Sequence, residues 1–202
     1  MMIIVGRDNR TREHVALRSM FEARKRIFVD LLKWDLPVLA GRFEVDQFDD
    51  PHATYLIVTD KDGGHLASAR LLPTTRPALL DTLFSHLVAG PVPRGPGIAE
   101  ITRFCLSREA NAATRRHARD LLLAGLVDHA LASGIHAYTG VAEEPWFRQI
   151  RQFGWECAAL GDAVIDGGRR LRALRIEIDP ATPARLAAAG IGAAVPLPAA
   201  AA

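Results

Sequence analysis

Residues 54–59, TYLIVT, and 65–72, HLASARLL, are two apolar runs joined by Lys61-Asp62-Gly63-Gly64. The Asp-Gly-Gly step supplies the positive φ that a tight reversal needs, so the spacing predicts a β-hairpin. Downstream the period changes. IAEITRFCL (98–106) reads as a strand, and 112–133 has helical period with Leu123, Leu126, Val127, Ala130 and Leu131 on its buried face. A strand over 136–142 leads into EEPWFRQIRQFG, where Pro145 suits a first helical turn and Gly154 a C-terminal cap. Residues 155–160, 163–166 and 170–178 read as closing strands, the last two joined by a second Asp-Gly-Gly turn. Upstream, MIIV (2–5) reads as a short strand, and 11–32 as a helix with Leu17, Met20, Phe21, Phe28 and Leu31 in one apolar stripe. A short helix is expected over 79–88 and a loop over PVPRGPG, 91–97. Hairpins early and strand–helix alternation late predict an α/β fold, a single-domain three-layer α-β-α sandwich with a mixed sheet.

At 202 residues the chain suits one domain. From residue 180 it turns Ala/Pro-rich, so the expected folded domain spans 1–179 and 180–202 is expected to be a frayed helix and disordered tail. Composition is that of a soluble globular protein, 49% apolar and 24% charged, and a net charge of +2 is too small to imply nucleic acid. The distribution says more. Acids dominate residues 44–62, whereas 108–119 and 148–175 are rich in arginine. The two cysteines, Cys105 and Cys157, have no metal-ligand spacing and fit a reducing compartment. MMIIVGRDNR has only a four-residue apolar run before charge begins, which is neither a signal peptide nor a membrane span. The expected location is cytoplasmic, with no membrane partner and no metal.

No GxSxG, P-loop, GxGxxG or HExxH occurs, and none of the seven histidines sits beside a candidate nucleophile. What stands out is a set of charges in apolar settings: Arg24 inside the helix stripe, Glu44, Asp46 and Asp49 in EVDQFDDP, Arg70 in the hairpin, and Glu100 with Arg103 in the next strand. Singly, each suits a surface charge or an ion pair. Together they suit a zwitterionic or cationic small molecule, because arginines grip a carboxylate and acids grip an ammonium or sulfonium.

Arg24-xxx-Phe28-xxxxx-Trp34, Glu44-x-Asp46-xx-Asp49, Arg70-Leu71-Leu72-Pro73-Thr74 and Glu100-xx-Arg103-Phe104 occur in that order. The ordered set resembles the signature of the acyl-homoserine-lactone synthases, the LuxI-type autoinducer synthases of quorum sensing, over about residues 5–178. The resemblance implies a GNAT-like fold whose mixed, V-shaped sheet admits a phosphopantetheine arm on one side and a second substrate on the other. It implies an acyl donor, acyl carrier protein or acyl-CoA, and S-adenosylmethionine (SAM) as acceptor and substrate, with no cofactor. The products would be an N-acyl-homoserine lactone and methylthioadenosine. Arg24, Phe28, Trp34, Glu44, Asp46, Asp49, Arg70, Arg103 and Phe104 would then belong to the SAM side, with Glu100 as candidate base.

The chemistry is compatible. An amine must be neutral to attack a thioester, so a carboxylate within one water of it is a sensible base. Ring closure by the substrate's own carboxylate needs no enzymic nucleophile. Phe28 and Trp34 would face the sulfonium, or simply pack in the core. In a regular strand Glu100 and Arg103 would face opposite sides, so they serve different sites or an irregularity lies near 100–104. The acyl pocket is expected around Thr139, Ala142 and Trp146, and Arg148, Arg151, Arg170 and Arg172 form the basic patch expected to meet an acidic carrier protein. Two other readings compete. A GNAT acetyltransferase would carry a Gly-rich turn at the long helix, which SREANAATRRHA (107–118) lacks. A non-catalytic SAM sensor would have no need of Glu100.

Overall fold

The expected hairpin forms, as β4 (Thr54–Thr59) and β5 (His65–Pro73), within an eight-stranded sheet of the computed structural model, which describes residues 1–192. β1 (Met2–Val5) pairs antiparallel with β4, while β2 (Val38–Leu39) and β3 (Phe43–Glu44) make a separate small ribbon. β5 pairs with β6 (Ile98–Leu106), β6 with β7 (Ala137–Glu143), and β7 with β10 (Arg169–Glu177), which also carries β8 (Glu156–Ala159) and β9 (Val164–Asp166). All neighbours are antiparallel except β6 and β7, whose ladder is parallel and only three residues long, Ile98–Glu100 against Ala137–Thr139. Beyond it β6 stays with β5 and β7 stays with β10, so the sheet opens into a V at this joint.

Alternate residues of the hairpin feed two cores, which is why its strands are apolar throughout rather than half polar. Tyr55, Ile57 and Leu72 pack with Val5, Met20 and Phe48 under α1 (His14–Arg24). Leu56, Val58 and Leu71 pack with Leu122, Leu126, Phe147 and Trp155 under α3 (Ala112–Ser133) and α4 (Glu144–Ile150). The result is the three-layer α-β-α sandwich with a mixed, V-shaped sheet. α3 has the expected bounds, with the Asn111 side chain accepting from the Thr114 N–H at 2.9 Å and Gly134 in the left-handed region at the other end. Among the described residues, no helix is long and apolar enough to cross a membrane.

Several expectations change. The helix expected over 11–32 widens after Arg24: over Lys25–Leu31 its bonds span five residues, with the Leu32 N–H donating to the Ile27 oxygen at 2.9 Å. A wider turn rotates later side chains out of phase, so Phe28 stays buried while Leu31 is 52% exposed. Leu131, at the last turn of α3, is likewise exposed. The segment 79–88 splits into α2 (Leu79–Thr82) and a 3₁₀ turn at Ser85–Leu87. Gly154 does not cap α4, which ends at Ile150. Its φ is +91°, and a Cβ there would lie 2.4 Å from the Arg185 oxygen, so glycine lets a following helix approach. That helix, α5 (Thr182–Ala188), corrects the boundary at 179: Leu186 and Ile191 are buried in the α3-side core. The rest of the tail expectation, 193–202, falls outside the described residues.

The irregularity expected near 100–104 is present. Ser68 faces Cys105 and Arg70 faces Thr102, so β6 spends one extra residue between these pairs, and Arg103 sits there at φ +51°. The bulge cancels the parity problem and turns the Arg103 side chain toward Arg70 and the acidic loop.

Candidate active site

Arg24, Arg70 and Arg103 come from α1, β5 and the β6 bulge, and Glu44, Asp46 and Asp49 from the loop around β3. All six meet in one ion-pair network. Arg24 Nε donates to Glu44 at 2.5 Å, and its two terminal nitrogens take Asp49 bidentately at 2.8 and 2.9 Å. Arg70 forks onto Asp46 at 2.6 and 3.1 Å and reaches Asp49 at 2.9 Å, while its Nε donates to Thr102 Oγ1 at 2.9 Å. Arg103 Nη2 donates to Glu44 at 3.1 Å and to Asp46 at 2.7 Å. Arg24, Glu44 and Arg70 are fully buried, so each charge depends on these partners. Burial alone would raise the Asp49 carboxyl, but the hydrogen bond and charge of Arg24, with Arg70 behind, hold it below the usual range. Burial, with the Asp49 charge and hydrogen bond adding to it, pushes the Tyr55 hydroxyl up.

This geometry corrects the reading of the acidic loop. Every carboxylate oxygen of Glu44, Asp46 and Asp49 is engaged by one of the chain's own arginines, so the three acids hold arginines, not a free cation. They lie close enough together to suggest metal ligands, but the same arginines occupy those oxygens. The network is a scaffold whose inner face, Asp46 and Arg103, forms part of a cavity wall.

That cavity, about 1060 Å³, occupies the opening between β6 and β7. Of the residues expected on the SAM side, Phe28, Trp34, Asp46, Arg103 and Phe104 line it, while Arg24, Glu44, Asp49 and Arg70 stand behind the wall. Phe28 and Trp34 stack at 4.9 Å, with the Arg103 guanidinium 5.8 Å from Phe28 and that of Arg169 4.8 Å from Trp34. These aromatic faces already have cationic neighbours. The expected acyl-side residues Thr139, Ala142 and Trp146 all line the cavity. Phe104, Trp146, Phe153 and Trp155 run on in successive ring contacts of 5.2, 5.7 and 6.0 Å. Leu123, Leu126, Leu174 and Ile176 complete this apolar part, and sequence alone did not single them out because they read as ordinary core.

Glu100 does not line the large cavity. Its Oε2 accepts the Leu80 N–H at 3.0 Å, and its Oε1 has no hydrogen-bond partner among the described residues. It borders a small void of about 10 Å³ together with Thr139, Asp81 and Arg94. Thr139, the partner of Glu100 in the short parallel ladder, borders both spaces, and its Oγ1 likewise has no hydrogen-bond partner among the described residues. Burial pushes the Glu100 carboxyl up to about 7, against the Leu80 N–H and the Arg70 charge.

The basic patch is divided. None of Arg148, Arg151, Arg170 and Arg172 lines the cavity. Arg148, Arg151 and Arg170 are exposed, whereas Arg172 is tied to Glu144 at 3.0 Å and to the Gly161 oxygen at 3.0 Å, which makes it a brace between β10 and α4.

The family model described as autoinducer synthase matches residues 8–186. An acyl-homoserine-lactone synthase of Ralstonia nicotianae is 38% identical over 174 residues, 83% of this chain and 84% of that one. Among solved structures, the CoA-dependent acyl-homoserine lactone synthase MesI superposes with a TM-score of 0.84 at 29% identity, over 96% of this chain and 97% of its own. BjaI, a CoA-dependent synthase solved with SAM and isopentyl-CoA, superposes with a TM-score of 0.85 at 26% identity, over 95% and 90%. With the family model spanning most of the chain and a relative of matching length at 38% identity, the chain belongs to the autoinducer synthases, the enzyme family of the acyl-homoserine-lactone synthases.

Proposed function

We propose that this chain joins an acyl group from a thioester donor to the amine of SAM and closes the product to an N-acyl-homoserine lactone. The observation that carries the reading is the single cavity in the sheet opening, charged at the Asp46–Arg103 wall and apolar along Phe104, Trp146 and Phe153. Arg103 is the cavity-lining arginine of the network and would receive the SAM carboxylate beside Asp46; Arg24, Arg70, Glu44 and Asp49 would hold the pair in position. The acyl chain would extend along the aromatic series. MesI and BjaI, both described as CoA-dependent, make acyl-CoA a reasonable donor, and acyl carrier protein is the other.

In the first step the neutral amine attacks the thioester carbon, the C–S bond breaks, and the thiolate leaves and takes up a proton. The proton lost from the amine needs an acceptor. Glu100, with a pKa near 7, has the right basicity, and Thr139 stands between it and the cavity as the group across which it would act. In the second step the substrate's carboxylate oxygen attacks the carbon bearing the sulfonium. That C–S bond breaks with its electron pair passing to sulfur, and methylthioadenosine departs neutral. No enzymic nucleophile is required, and holding amine and thioester in one cavity removes much of the bimolecular entropy cost.

The test incubates the purified chain with SAM and a panel of acyl-CoA and acyl carrier protein donors, with lactone and methylthioadenosine followed by mass spectrometry. Both products are expected with at least one donor. Glu100→Gln should slow acylation more than it weakens SAM binding. Absence of both products with every donor overturns the reading.

A further inference from the structure

We propose that the proton Glu100 takes from the substrate amine leaves the protein by a separate route, through a water-sized void to Asp81 beside Arg94 at the surface. The inference rests on the reading above in which Glu100 is the base of acyl transfer. That step sheds a proton. The acceptor enters as an ammonium with three N–H protons; the amide keeps one, the departing thiolate takes one, and the third must reach solvent. Ring closure is proton-neutral, so each turnover leaves Glu100 one proton to discharge. At that moment the large cavity is filled by the molecules that have just reacted.

The small void offers another way out. Glu100 is fully buried at the joint of the sheet, and its Oε1 has no hydrogen-bond partner among the described residues. Of the residues that border the void of about 10 Å³ beside it, only Thr139 also lines the large cavity. That volume suits one water, and Glu100, Thr139 and Asp81 supply the polar partners such a water needs. The outer side of the void is nearer to solvent: the Asp81 side chain is 15% exposed and that of Arg94 49%. Asp81 is fixed there. Its Oδ1 accepts the Ala78 N–H at 2.7 Å, its Oδ2 meets Arg94 Nη1 at 3.0 Å, and Arg94 Nε donates to the Thr74 oxygen at 3.1 Å. α2 and the loop 91–97 thus close over Glu100 with a carboxylate at the seam. The charged side chains around Glu100 are Arg70 from β5, Asp81 from α2 and Arg94 from that loop. The transfer balances. The Glu100 O–H proton passes to the water, the water gives one of its own to the Asp81 carboxylate, and Asp81 releases it to solvent. Asp81 acts on the reaction only through Glu100.

The test variant is Asp81→Asn, which keeps an oxygen for the Ala78 N–H and removes the proton acceptor. Using a donor that supports wild-type turnover, stopped-flow mixing follows proton release with a pH indicator and thiol release with a disulfide reagent. The two signals should coincide in the wild type, whereas in the variant the proton signal should lag. Steady-state kcat of the variant should fall about tenfold, with KM for SAM and for the donor unmoved. Imidazole, a small diffusible base, added at constant pH should restore the variant and leave the wild type unchanged. The midpoint of the kcat/KM rise with pH should move down, because a negative neighbour of Glu100 has gone. No difference between the two proteins, or a fall in kcat with a lower thermal midpoint and no response to imidazole, overturns the proposal. If no donor yields lactone, the route is tested without turnover. After an upward pH jump, the infrared carbonyl band of protonated Glu100, identified by its loss in Glu100→Gln, is followed as it decays. Slower decay in Asp81→Asn than in the wild type upholds the outlet; equal decay overturns it.

Discussion

Each of the three network arginines reaches two carboxylates, but they are not equivalent in what their removal leaves behind. Without Arg70, Asp46 keeps one arginine, Arg103, and Asp49 keeps one, Arg24, although the Asp49 side chain is almost wholly shielded from water. Arg70→Met is expected to destabilise the protein by about 3–5 kcal/mol in urea unfolding, the usual cost of stranding a buried charge, and Arg70→Lys by less. Two buried titratable groups act oppositely with pH. His65 is lowered by burial to about 4, with the Arg26 charge adding to the effect. Its contribution to stability is whole above 6.5 and is lost as pH falls through about 4. Glu100 is raised to about 7, so its contribution is whole below 4.5 and is lost as pH rises through about 7. Relative to wild type, Glu100→Gln should therefore gain about 3 kcal/mol of stability as pH rises across that interval, measured as paired unfolding curves. A base role adds a second signature: kcat/KM of the wild type should rise with pH through about 7, and the variant should lose that rise.

The elements most legible in the sequence were those whose signal is local. The Asp62-Gly63-Gly64 turn between two apolar runs specified the hairpin, and the Asn111 cap with Gly134 specified the bounds of α3. The bulge in β6 was legible for a different reason: Glu100 and Arg103 cannot share a face three residues apart unless the strand carries an extra residue. What was not legible depended on packing. Nothing local marks Lys25–Leu31 for wider winding, and the widening is what exposes Leu31 while Phe28 reaches the cavity. The role of Gly154 also needed the partner helix, since only the nearby Arg185 oxygen excludes a side chain there.

The sheet opening organises the molecule, because the ladder that joins its two halves, β6 against β7, is only three pairs long. The helical layers must therefore hold the halves together, and α3 with α5 covers the α3-side core. An Ala-rich segment looks dispensable by composition, yet Leu186 and Ile191 reach that core. A chain ending at residue 179 is expected to lose more than the roughly 2–5 kcal/mol of a single buried Leu→Ala change, read as a lower urea midpoint against the full chain. Charge placement shows the same dependence on the whole. Arg148, Arg151, Arg170 and Arg172 were the patch expected to meet a partner, but Arg108, Arg115, Arg116 and Arg119 are the set that the fold turns into the cavity.

Sequence by itself determined the order of strands and helices, the need for an irregular β6, and the list of charges that had to be neutralised, because turn chemistry, side-chain period and the cost of buried charge are properties of the chain. Only the tertiary structure decided which charges neutralise one another. Glu44, Asp46 and Asp49 were read as a wall awaiting a cation and are instead satisfied by Arg24, Arg70 and Arg103. Pairing is a matter of a few ångströms between segments as far apart as residues 24 and 103, and those distances are set by how α1, β5 and the bulged β6 pack.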